Sequence, residues 1–240
     1  MNIAELYKEQ VSLTEWLSRI NHVEADVLRK EDNNKRLRLG IFNKYTGVQI
    51  DEVFHFSGLD FKNKSEEFVK LYEIKKDKQC ALRLVPLDES LPKHRMRGMT
   101  LHDAIMWSES KDYNPENYRV EIVSTPNRAY FSTIFIINQN GMYGEIITGA
   151  HYKLTQGFYE GDERPYSFVY EFNENGELEE IEMIDEYREA VEEIKNSLYI
   201  ETEEVRENLK KELDSKFANN YLMGYFETVT SDDYGMWFID

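Results

Sequence analysis

The apolar positions change spacing several times along the chain, and each change marks an element. In residues 3–20, Ile3, Leu6, Tyr7, Leu13, Trp16, Leu17 and Ile20 recur at near-helical intervals, predicting one helix or two short ones. A highly charged stretch follows over 25–39. Leu39-Gly40-Ile41-Phe42 and Tyr45-Thr46-Gly47-Val48 then read as two short strands about a turn, a small hairpin. Ser65 opens a helix whose first turn carries Glu66 and Glu67, where the helix dipole favours acids. Cys80–Pro86 reads as a strand interrupted by Arg83. Lys93-His94-Arg95-Met96-Arg97-Gly98 reads as a basic loop, and Thr100 caps a helix reaching Trp107.

Tyr118–Val123 alternates as a half-buried strand does. Residues 130–149 hold two apolar runs about the turn Asn138-Gln139-Asn140-Gly141, a hairpin. Ser167–Phe172 alternates again and turns at Asn173-Glu174-Asn175-Gly176. Residues 183–217 are helical: Ile184, Tyr187, Val191, Ile194 and Leu198, then Val205, Leu209, Leu213 and Phe217, with a break at Ile200-Glu201-Thr202. The end, Tyr221–Glu227 and Gly235–Asp240, forms a last hairpin without a polar tail. It is either a terminus packed in a sheet or the cut edge of a longer protein. Strands and helices mixed with hairpins predict an α+β fold with largely antiparallel sheets. The division expected is an N-terminal lobe over 1–79 and a second lobe over 80–240, or one integrated domain.

A hydrophobic content of 41% supports a globular core and argues against disorder. The formal net charge of −17 excludes a broad nucleic-acid or anionic-membrane footprint, because phosphate surfaces need clustered Lys and Arg. A local basic pocket for a small anion remains compatible with it. Cys80 is the single cysteine, so no disulfide framework is expected. With no signal-like start and no membrane-length apolar run, a soluble cytoplasmic protein is expected.

Three features could carry chemistry. Glu145 sits in an apolar strand, where a carboxylate must be paired, ligated or on the wet face. It is either a magnesium ligand, with Gln156 as a neutral second ligand, or an exposed acid. Arg83, between Leu82 and Leu84, either forks phosphate oxygens or makes a surface salt bridge. The basic run with Arg95 and Arg97 either holds nucleotide phosphates or complements Glu189, Glu192 and Glu193. The five histidines, His22, His55, His94, His102 and His151, show no zinc spacing. Nucleophile-elbow, P-loop and dinucleotide fingerprints are absent.

Several pieces fall in one order: Ala81-Leu82-Arg83, then Tyr118–Val123, then Phe131–Asn138 with Tyr143-Gly144-Glu145-Ile146-Ile147. After these come Ala150, Leu154-Thr155-Gln156-Gly157, and finally Tyr225-Phe226-Glu227 with Gly235–Ile239. This order resembles the nucleotide-binding, ATP-grasp domain of the phosphoenolpyruvate synthase and pyruvate phosphate dikinase superfamily. The resemblance implies a two-lobed ATP-grasp-like fold binding ATP and Mg. It assigns Arg83 to the phosphates, as catalytic and nucleotide-binding residue, and Glu145 and Gln156 to the metal. Arg95 and Arg97 join the nucleotide site on charge alone. The phosphoryl group would pass to a histidine on a separate swivelling domain.

The chain also departs from that pattern. Arg83-Leu84-Val85-Pro86 replaces Arg-Ser-Ser-Ala, Asn138-Gln139 replaces Asn-Pro, and neither the phosphohistidine motif nor the phosphoenolpyruvate barrel is present. Two other readings stand beside the first. One is a degenerate relative serving as an interaction or regulatory module; the other is an unrelated acidic α+β binding protein.

Overall fold

The computed structural model describes residues 23–88, 90–157, 159 and 161–239. In chain order the elements are α1 (Val23–Thr46), β1 (Val53–Ser57), α2 (Gly58–Lys62), α3 (Glu66–Lys75), β2 (Gln79–Pro86), β3 (His94–Thr100) and α4 (Leu101–Glu109). Then come β4 (Tyr118–Ser124), β5 (Ala129–Asn138), β6 (Gly141–Thr148), α5 (Tyr152–Gln156), β7 (Tyr166–Phe172) and β8 (Leu178–Glu182). The last are α6 (Asp185–Ser197), α7 (Glu203–Leu213), β9 (Lys216–Ala218), β10 (Tyr221–Ser231) and β11 (Gly235–Phe238).

These form two compact units, and the described residues of the first are 51–88 and 90–127. It is built on a four-stranded antiparallel sheet in the order β1-β4-β2-β3. Leu82, Leu84, Val120 and Ile122 point to one face and bury against Phe61, Phe68, Leu71, Leu101 and Ala104 of the helices. Alternation therefore sends Arg83, Glu121 and their neighbours to the opposite face. Ser65 and Thr100 cap α3 and α4, their hydroxyls accepting from the Phe68 and Asp103 N–H groups. The expected boundary at 79/80 falls at the head of β2, inside this sheet.

The second unit contains described residues from 23–50 and 128–239. Its sheet runs β11-β10-β5-β6-β7-β8, with β9 added to β10. One face carries Phe135, Ile137, Met142, Ile146, Phe168, Tyr170, Phe226 and Phe238, buried against Tyr187, Val191, Ile194 and Leu198 of the α6 region and Leu209 of α7. Gly144 lies on that packed face. A Cβ there would overlap Phe135 Cβ and the Phe168 ring, so the glycine of the Gly-Glu pair is required by packing. The α+β expectation of largely antiparallel sheets with flanking helices holds. Among the described residues no helix is long and apolar enough to cross a membrane.

Three local expectations are corrected. The hairpin at 39–48 is instead the end of α1. Leu39 and Phe42, three apart, both bury, and Phe42 meets Phe238 edge-on at 5.5 Å. Gly47, at φ 72°, ends the helix by donating its N–H to Asn43 O at 2.8 Å. The basic loop at 93–98 lies largely in edge strand β3, with His94 and Met96 opposite Leu84 and Leu82. Helix α7 stops at Leu213 because Asp214 turns left-handed at φ 52°, and Phe217 belongs to β9. The helix expected over 3–20 lies outside the described residues.

Candidate functional site

In the first unit the row on the face opposite the packed helices reads His55, Glu121, Arg83, Arg95 across β1, β4, β2 and β3. Arg97 and Arg119 lie two residues from Arg95 and Glu121, so they share that face. The structure thus places Arg83, Arg95 and Arg97 together, with Arg119 as a fourth guanidinium that sequence reasoning missed. Only the pairing of β2 with β3 and β4 shows that these separated residues converge. Glu121 stands among them. Its carboxylate lies 3.5 Å from Arg83 and 3.1 Å from Arg119, and its side chain is 12% exposed. Guanidinium groups gathered on one sheet face have the planar donor forks that suit anion oxygens.

In the second unit Glu145 lies on the face opposite the helices, its side chain exposed. Register places Glu227, Ile134, Glu145 and Ser167 in one row there. The two carboxylates flank Ile134, their backbones about 10 Å apart at ordinary strand spacing. Gln156 ends the short helix α5, which Gly157 closes in a left-handed conformation at φ 67°.

Glu227 was not singled out from sequence, because an acid following two aromatics in a strand gives no signal of burial. It is 9% exposed. His151 Nε2 lies 2.9 Å from its Oε2, the Tyr225 hydroxyl donates to Oε1 at 2.5 Å, and Lys35 Nζ is 3.9 Å away. Burial alone pushes the Glu227 carboxyl upward. The His151 hydrogen bond and charge, with Tyr225 and Lys35, outweigh it and hold the carboxyl at about 2. Glu227 is therefore an ionised carboxylate at neutral pH, fixed on a sheet face. His151 and Glu227 come from separate pieces of the order noted in the sequence, 150–157 and 225–227.

Cys80 is 4% exposed and burial pushes its thiol up to about 12, so it stays protonated and serves packing. Among the described residues no three His, Cys, Asp or Glu side chains form a ready metal cluster. A cation here would need oxygens from a ligand or water, as magnesium bound through one or two carboxylates does.

No family model matches the chain, and no curated protein matches its sequence. Solved structures do align with it. The macrocyclase MdnC from Microcystis aeruginosa MRC, bound with precursor peptide MdnA, aligns at 11% identity and TM-score 0.36, over 87% of this chain and 52% of that one. The ATP-grasp ligase PsnB, complexed with minimal precursor, Mg and ADP, aligns at 10% identity and TM-score 0.39, over 88% and 50%. The D-alanine-D-alanine ligase from Coxiella burnetii aligns at 7% identity and TM-score 0.38, over 86% and 46%. The chain spans about half the length of these proteins.

Proposed function

We propose that this chain binds a magnesium–nucleotide complex, with ATP as the nucleotide. The observation that carries this reading is the arginine face of the first sheet. Arg83, Arg95, Arg97 and Arg119 gather on one side of it in a chain of net charge −17. Planar guanidinium forks suit phosphate oxygens, which supports a polyanion as the ligand class. Within the second unit, the open face of the sheet carries carboxylates of its own. Glu145, exposed, offers carboxylate oxygens of the kind magnesium prefers, and the sequence resemblance adds Gln156 as a neutral ligand. Bound magnesium would offset phosphate charge, and the arginines would stabilise charge developing on a transferring phosphoryl group.

The finer form of this reading, transfer to a histidine on a separate swivelling domain, rests on the sequence resemblance alone. A second reading, a non-catalytic interaction module, draws support from Glu121, which engages Arg83 and Arg119 and lowers their capacity for a ligand.

Thermal-shift titration with ATP, with and without magnesium, tests the proposal. Stabilisation that requires magnesium, falls in Arg83→Ala and falls in Glu145→Gln is the expected result. Absence of any nucleotide-dependent shift would sink the nucleotide reading and leave the interaction module.

A further inference from the structure

A groove in the second unit shares no residue with the acid row or with the arginine face. Its volume is about 380 Å³, within the range of small-ligand sites. The end of α1 lines one side, with Tyr45 and Val48, and the α6–α7 connection lines the other, with Asn196, Tyr199, Glu201 and Thr202. Its lining contains one carboxylate and no Lys, Arg or His, although the Arg206 guanidinium, just outside it, donates to Ile200 O at 2.6 Å and Glu201 O at 2.7 Å. Two helices, α1 and α6, direct their C-terminal ends to it, and a helix C-terminus carries about half a negative charge. Lysines of both last turns are already engaged: Lys44 lies 3.2 Å from Glu212, and Lys195 lies 2.5 Å from Glu192.

The Tyr45, Thr46 and Ser197 hydroxyls in the lining are already engaged, by Glu212, Phe42 O and Glu193 O, and three other polar side chains are available. The side chains of Asn196, Glu201 and Thr202 make no hydrogen bond or ion pair among the described residues. Tyr199 is 43% exposed while its ring packs edge-on against Tyr221 at 5.1 Å. The Tyr45 ring already receives a cation, Lys44 Nζ lying 4.3 Å from its centroid. An uncommitted carboxylate, the negative ends of two helix dipoles and the half-exposed Tyr199 ring together describe a cation receptor.

We propose that this groove binds an organic cation, a guanidinium or primary amine such as a basic side chain carries. Glu201 pairs with the charge, Tyr199 packs against the carbon or guanidinium face, and Asn196 accepts a hydrogen bond through its amide oxygen. The site is independent of the nucleotide reading, because none of its residues lies on either charged sheet face.

Isothermal titration of the full chain with argininamide at low salt tests this. Wild type should bind, with Glu201→Gln and Tyr199→Leu each weakening binding about fivefold, near one kcal/mol by the tenfold-per-1.4 rule. Glu186→Gln, an exposed acid of α6 outside the groove, should change binding less than twofold. Equal weakening by Glu186→Gln would reduce the effect to the general pull of an acidic protein and overturn the proposal. No binding by wild type, or unchanged binding in Glu201→Gln, would also overturn it.

Discussion

Glu227 is the residue whose setting says most about the second sheet. Its folded carboxyl is held at about 2 against an ordinary value of 4.5. A depressed carboxyl contributes stability that is fully present above about 4.5 and is lost as pH falls from there through about 2. Glu227→Gln should therefore lower stability at pH 7 by about 2 kcal/mol, the scale of hydrogen bonds to a charged group. Urea unfolding at several pH values should show the gap between wild type and variant closing below about pH 4. A gap independent of pH would mean that the His151–Glu227 pair contributes no charge-dependent stability. Gly144 gives a second prediction. Gly144→Ala should cost about 2–3 kcal/mol, read as a lowered urea midpoint, because Phe135 and Phe168 occupy the space a methyl needs. The Gly-Glu pair was legible as a feature of sequence, yet its glycine answers to packing and its glutamate lies on the opposite, open face.

The elements show where periodicity suffices and where it misleads. Strands β2, β4, β5, β6 and β7 and helices α3, α4, α6 and α7 follow from alternation, caps and three-four spacing. The failure at 39–48 has a physical cause. A short apolar run followed by Thr-Gly satisfies both a strand-turn pattern and a helix C-terminus. The choice went to the helix because Leu39 and Phe42 both bury in the core, where Phe42 meets Phe238, far along the chain. Phe42→Ala should accordingly cost about 3–4 kcal/mol in chemical unfolding, a loss expected of a fully packed core aromatic and not of a surface hairpin. Thr100→Ala should cost about 1 kcal/mol by removing the cap on α4, with Ser65→Ala a parallel case on α3. The basic run at 93–98 concealed a strand because charge drew attention from its alternation. As edge-strand residues, arginines there also discourage pairing with another chain.

For the whole molecule, excess acid is the dominant long-range term. A chain at −17 repels itself, so added sodium chloride should raise the melting temperature by a few degrees as it screens that repulsion. A flat or falling melting temperature with salt would show that local ion pairs outweigh the net charge. The sequence by itself determined the mixed α+β class, the antiparallel hairpins and most helix starts. These depend on spacing, caps and apolar content within a few residues. It also fixed Arg83, Arg95 and Arg97 as the densest candidates for anion contact. Tertiary structure alone decided that these arginines share one face with Arg119 around Glu121, and that His151 meets Glu227. It alone turned the 39–48 segment into a helix. Strand pairing joins residues far apart in the chain, and the energy that selects one register over another lies in those distant partners.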